Sequence, residues 1–292
     1  MFQKGSLVVC SLFLVANTSF AVTSATSKTV KGSTTTSLSE AAIKAPSEQK
    51  IIGVLEFRPS WTQSTGKFHT ENMAQLGYQF NKNTTLSYRQ YFNTNIYNPD
   101  NSEGLGLTAQ DGLFVADFRN IWTNSSQGLS FGYEPRLYLP TATATRDAGM
   151  ITVVRNYLKL TKKFSDKFSL TAMEIPILHI YSRSGTGDKA NPVFENRVYL
   201  IASYSPVKSV SIDIPLMLNS QRTANYNAVA KNNDRWGHIL WSWPEVTYAV
   251  SPNTALGVGF MTDNLIRPDF SALTIGDGFR KGVAQMILRA TL

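Results

Sequence analysis

From Ile51 onward, apolar and polar residues alternate with period two, the pattern of extended strands that show one face to an apolar medium and the other to a polar one. Ile51, Gly53, Leu55, Phe57 and Trp61 share one face of a first strand, and Glu56, Arg58 and Ser60 share the other. Leu86, Tyr88 and Phe92 oppose Ser87 and Arg89. Phe114, Ala116, Phe118 and Trp122 oppose Asp117 and Arg119, and Leu129, Phe131, Tyr133, Leu137 and Leu139 oppose Glu134 and Arg136. Val198, Leu200, Ala202 and Tyr204 oppose Arg197 and Tyr199. Val210, Ile212, Ile214, Leu216 and Leu218 oppose Ser211, Asp213 and Asn219, and a last strand sets Ala284, Met286, Leu288, Ala290 and Leu292 against Gln285 and Arg289.

Short and long connections alternate between these runs. Turn-forming residues make the short ones: Asn81–Asn83, Asn124–Gln127, Ser165–Asp166, Ser205–Val207 and Ser251–Asn253. The long ones are Ser60–His69, Asn93–Gln110, Thr141–Gly149, Arg183–Asn191, Gln221–Asp234 and Asn264–Gly278. The spacing predicts about twelve strands, at 51–61, 69–80, 84–93, 111–123, 128–140, 150–163, 167–182, 193–204, 208–220, 235–250, 254–263 and 279–292. Three of them break the pattern. Glu174 shares a face with Phe168 and Leu170, Glu245 shares one with Trp241 and Trp243, and Ile151 and Val153 share one with Arg155. Proline cannot donate to a ladder, so bulges near Pro176 and Pro244 that reverse the facing would bring both acids to the polar side.

Even strand number, short turns at one end and long loops at the other are the organisation of a transmembrane barrel. In these features residues 51–292 resemble the bacterial outer-membrane β-barrel class, porin-like in general pattern. The resemblance implies an all-β fold, a single transmembrane antiparallel barrel with both termini periplasmic and the long loops extracellular. Leu292 stands where that class usually ends in Phe. A soluble sandwich or lipocalin-like barrel is the rival. Against it, strands of about ten residues or more exceed the ~5–6 usual in soluble sheets, and Trp61, Phe80, Phe92, Trp122, Tyr204 and Tyr248 gather near strand ends as interfacial girdles do.

The N-terminus agrees with export. Lys4 precedes an apolar stretch, Leu7–Ala16, and Ser19-Phe20-Ala21 supplies small residues at a cleavage site, so residues 1–21 read as a secretory signal peptide. The apolar stretch is too short for ~30 Å of hydrocarbon. Residues 22–50 are rich in Ser, Thr, Ala and Lys and read as a flexible periplasmic tail. The only cysteine, Cys10, lies in the signal, so no disulfide stabilises the mature chain.

Composition enters only now. The 292 residues carry 28 Lys+Arg and 20 Asp+Glu, a net +8. The polar faces nearly cancel: Arg58, Arg89, Arg119, Arg136, Arg155, Arg197 and Arg289 match Glu56, Asp117, Glu134, Glu174, Glu195, Asp213 and Glu245, which leaves the excess on turns, loops and tail. These fourteen residues are the candidate lumen-lining and constriction set. Pairs at spacing two, such as Glu134 with Arg136, project from one face about 6.6 Å apart, fit either to fill a lumen with ion pairs or to select solutes. The expected function is a passive porin-like channel for ions or small polar solutes. A closed structural or surface-recognition barrel is the alternative, with a barrel hydrolase behind it. The expected partners are outer-membrane lipid, the export and barrel-assembly machinery and small polar solutes. Scattered lysines argue against nucleic acid. His69, His179 and His238 show no nucleophile at catalytic spacing: His238 and Ser242 lie about 13 Å apart along a strand. Only a cross-strand partner would alter that, so no enzyme activity, cofactor or metal site is expected.

Overall fold

Extended backbone with one apolar face satisfies its hydrogen bonds in a membrane only by pairing on both edges, which a closed barrel alone allows. The computed structural model describes residues 50–97, 106–186, 189–224, 236–267 and 270–292. The signal peptide, the tail up to residue 49 and parts of four of the long loops lie outside the described residues. In chain order the strands are β1 Ile51–Thr62, β2 Lys67–Asn81, β3 Thr84–Tyr97, β4 Gly106–Ala109, β5 Leu113–Asn124, β6 Leu129–Tyr138, β7 Met150–Lys163 and β8 Phe168–Tyr181. They continue as β9 Gly185–Thr186, β10 Lys189–Ala190, β11 Pro192–Tyr204, β12 Val210–Thr223, β13 Trp236–Ser242, β14 Glu245–Ser251, β15 Thr254–Met261 and β16 Val283–Thr291.

The wall strands pair antiparallel in chain order, with β3 beside β5 and β8 beside β11, and β1 pairs with β16, so the sheet closes. Among the described residues the wall has twelve staves, because β13 and β14 both pair with β12 and form one interrupted stave. β4 lies on the upper part of β3, and β9 with β10 makes a separate small hairpin.

The turn chemistry explains the tight end. The Asn81 side chain accepts from the Asn83 N–H at 2.8 Å, the Ser165 hydroxyl accepts from the Phe168 N–H at 3.0 Å and the Ser251 hydroxyl from the Asn253 N–H at 3.2 Å. At the other end the first loop is shorter than expected. β1 and β2 run on to Thr62 and Lys67, leaving a four-residue turn, 63–66, whose Gly66 takes φ 64°. Alternation carries the strands further than the polar run Gln63-Ser64-Thr65 implies. Two loops fold back on the rim. Residues 143–147 form one helical turn, and Asp111 accepts there from the Ala142 N–H at 2.9 Å and the Thr145 hydroxyl at 2.7 Å. After β15 the chain extends the wall, with Leu265 N–H donating to Leu240 C=O at 2.8 Å, before the helical turn 275–280.

The facing expected at the two prolines is corrected. No reversal occurs. Glu174 stays on the outer face with Phe168 and Leu170, while Ile175 and Ile177 are fully buried inside. Trp241, Trp243, Glu245 and Thr247 all point inward, and Pro244 instead interrupts the stave, its C=O accepting from the Phe260 N–H at 3.0 Å. The bulge lies elsewhere. A register shift between Met150 and Thr152 turns Ile151 outward, so that of these two only Val153 shares the inner face with Arg155. A second shift follows Phe118, where Asn120 takes φ 49°.

Candidate functional site

The inner face is where the charged residues converge. It holds Glu56, Arg58, Arg89, Asp117, Arg119, Glu134, Arg136, Arg155, Glu195, Arg197, Asp213, Glu245 and Arg289, most of them less than a tenth exposed. Glu174 is the exception. It lies on the outer face, where it accepts a hydrogen bond from Asn196 Nδ2 at 3.1 Å. Two inward charged groups away from the rims escaped the sequence reading, Glu71 and Lys159. Glu71 sits directly opposite Arg58, and Lys159 shares the parity of Arg155, so extending the alternation along β2 and β7 would have found both.

Buried charges persist when paired and hydrogen-bonded, and three groups show how. In the first, Arg58 Nε donates to Glu56 at 2.5 Å and its Nη1 to Glu245 at 2.9 Å, while Arg289 Nε donates to Glu56 at 2.7 Å. In the second, Glu134 accepts from Arg136 Nε and Lys159 Nζ, both at 2.6 Å, and the Arg136 guanidinium lies 3.9 Å from the Tyr157 ring centroid. In the third, Glu195 accepts from Arg197 Nε at 2.6 Å and contacts His179 Nε2 at 3.3 Å. Asp117 and Arg119 pair at 2.8 Å in a more open place, and Arg155 covers the Tyr138 ring at 4.3 Å.

The charges are not spread evenly around the wall. β3, β5, β6, β7 and β11 carry Arg89, Arg119, Arg136, Arg155, Lys159 and Arg197 against Asp117, Glu134 and Glu195. Leaving aside Lys67 and Lys163 at the two rims, six cations and three acids give 6 − 3 = +3 on that side. β1, β2, β12, β14 and β16 carry Arg58 and Arg289 against Glu56, Glu71, Asp213 and Glu245, or 2 − 4 = −2. A near-neutral lumen is therefore polarised across its width. Between the charges lies an apolar cluster that includes Leu113, Val115, Ile175, Ile177, Met217, Trp241 and Trp243. Leu113, Ile175, Ile177, Glu195 and Arg197 expose no surface, so side chains fill the lumen at their level.

The histidines do not assemble a catalytic group. His69 lies 3.7 Å from Glu71, and His179 is held by Glu195. The cross-strand partner of His238 is Ser220, at 2.9 Å from Nδ1, on the outer face and with the imidazole against the Phe270 ring. Among the described residues no group of three His, Cys, Asp or Glu side chains suits a metal ion.

No protein-family model matches the chain, and no curated protein does. Solved structures do. The COG4313 outer membrane channel from Pseudomonas putida F1 superposes with a TM-score of 0.58 and 13% identity, over 83% of this chain and 95% of that one. The NanC porin superposes with a TM-score of 0.52 and 10% identity, over 82% of this chain and 100% of that one. The fold is that of an outer-membrane porin. Identities this low carry the porin architecture alone, and the inner-face chemistry described above belongs to this chain.

Proposed function

We propose that this porin-fold protein is a passive outer-membrane channel that conducts ions or small polar solutes through its Arg/Glu-lined lumen. The observation that carries the reading is the polarised inner face, with an excess of guanidinium groups on one wall and of carboxylates on the other. Charged walls of opposite sign orient dipolar solutes and interact with both ions of a salt. Conduction in this reading runs beside the covered Glu195 and Arg197, through what space the filled level leaves, which favours ions and the smallest solutes. In this reading the apolar outer face contacts outer-membrane lipid, the export and barrel-assembly machinery delivers the chain, the termini and tight turns face the periplasm and the long loops face outward. Liposomes containing the refolded protein should swell in small polar solutes and resist disaccharides. Liposomes indifferent to every solute and to salt would sink the proposal.

The complete cover of Glu195, Arg197, Ile175 and Ile177 favours a second reading, a closed structural or surface-recognition barrel. In that case shortening the loops 93–110 and 221–234 would abolish surface binding and leave the barrel folded, and no permeability would be seen.

A further inference from the structure

Asp213 on β12 and Glu245 on β14 are direct cross-strand partners, and both are buried on the inner face. Side chains so placed have Cβ atoms about 4.5–5.5 Å apart, and two like charges there repel. Glu245 accepts from Arg58 through Oε1, but its Oε2 is buried and has no partner. Asp213 accepts from the Ser203 hydroxyl at 2.5 Å and the Ser211 hydroxyl at 2.8 Å. No cation pairs with it among the described residues, and its direct cross-strand neighbour, Glu245, is another carboxylate. Glu56, Glu245, Arg58 and Arg289 are joined by ion pairs, and with Asp213 beside Glu245 they sum to 2 − 3 = −1, each less than a tenth exposed.

The next inward pair along the same two strands is Ser211 with Thr247, whose Oγ1 is also buried and unpartnered. The local donors are therefore all oxygens: both of Asp213, Oε2 of Glu245 and the hydroxyls of Ser203, Ser211 and Thr247. The neighbouring strand keeps the place clear. Gly259 and Gly257 of β15 are the partners of Glu245 and Thr247, and a Cβ at either would come within 2.9 Å of Glu245 Cγ or 2.7 Å of Thr247 Cγ2.

We propose that Asp213, Glu245 and the three hydroxyls form an inner-wall site for one hard divalent cation of the calcium type. The ion supplies the missing positive charge, engages the unpartnered Glu245 and Thr247 oxygens and ties β11, β12 and β14 together. Calcium fits better than magnesium because it accepts several oxygens in irregular geometry, whereas magnesium requires a near-ideal octahedron. The site stands apart from the channel reading, since its test reads binding directly and does not depend on conduction.

Calcium chloride is titrated calorimetrically into the chelator-stripped, refolded full chain in detergent. One site is expected, together with a calcium-dependent rise in unfolding temperature. Asp213→Asn and Glu245→Gln weaken binding about tenfold or more, as loss of ligand charge does, and Glu174→Gln on the outer face leaves it unchanged. Ser211→Ala removes one hydroxyl and no charge, so its smaller weakening reports on the site should either acid variant fail to refold. Absence of calcium heat and of any thermal shift up to about 10 mM overturns the proposal. So does binding that survives both acid substitutions or Ser211→Ala unchanged.

Discussion

Glu56 and Glu174 are both mid-strand glutamates, and their surroundings separate them. Glu56 is buried between Arg58 and Arg289, whereas Glu174 has a single neutral donor, Asn196, and lies on the apolar outer face. Removing one partner of a buried ion group leaves uncompensated charge and costs about 3–5 kcal/mol. A carboxylate on the lipid face is itself a modest cost, smaller than the ~2–4 kcal/mol of a basic residue at the midplane. Glu56→Gln is therefore expected to destabilise the barrel by about 3 kcal/mol or more, and Glu174→Gln, which keeps an oxygen for Asn196, to stabilise it by about 1 kcal/mol. Urea unfolding in lipid vesicles measures both, and equal losses would contradict the opposite facing of the two residues. Period-two parity already put Glu174 with Phe168 and Leu170. Its true position was legible, and only the assumption that every acid belongs in the lumen moved it. The same assumption concealed the apolar inner residues, since Leu113 and Val115 share the parity of Asp117, and Trp241 and Trp243 that of Glu245. Cross-strand meetings such as Asp213 with Glu245 or Ser220 with His238 depend on register, which alternation along a single strand does not encode.

All twelve staves were legible as elements because alternation over ten or more residues is a long signal, and Asn and Ser turns mark its ends. The rim was less so. The turn 63–66 and the wall extension beyond Met261 have no period of their own and are settled by pairing with neighbours. Gly128, in the turn between β5 and β6, takes φ 64°, and a Cβ there would lie 2.5 Å from the Lys163 carbonyl oxygen. Gly128→Ala should destabilise the hairpin by about 1–3 kcal/mol in the same unfolding assay, and an unchanged midpoint would refute the strained turn. At the opposite rim, burial pushes the Asp111 carboxyl above the usual carboxylate range despite the hydrogen bonds it accepts from Ala142 and Thr145. A carboxyl raised on folding binds its proton more tightly in the folded state, so its contribution is present at acid pH and declines as pH rises through its folded value. Hydrogen exchange of residues 139–149, corrected for intrinsic rates, should therefore show more protection near pH 4 than near pH 7, the usual carboxylate side and the neutral side of that titration. Equal protection, or the reverse order, would contradict this assignment.

At the scale of the whole molecule, a net +8 chain becomes a barrel whose interior nearly cancels in sum and is polarised in arrangement. Neutrality of the inner set was visible from parity alone. Its separation into a cationic and an acidic wall required the ring closure of β1 on β16, which places β12, β14, β16, β1 and β2 side by side. The filling of the lumen also belongs to the assembled molecule, because only closure brings Leu113 of β5 together with Ile175 and Ile177 of β8 in the same interior. Charged walls and a constricted interior together define the central claim, a lumen in which arginine side chains control the passage of small ions. Single-channel recording of the refolded protein in planar bilayers tests it most directly. The account predicts small discrete conductance steps whose size changes in Arg119→Ala and Arg136→Ala. Silent bilayers, or steps identical in the wild type and in both variants, would contradict it.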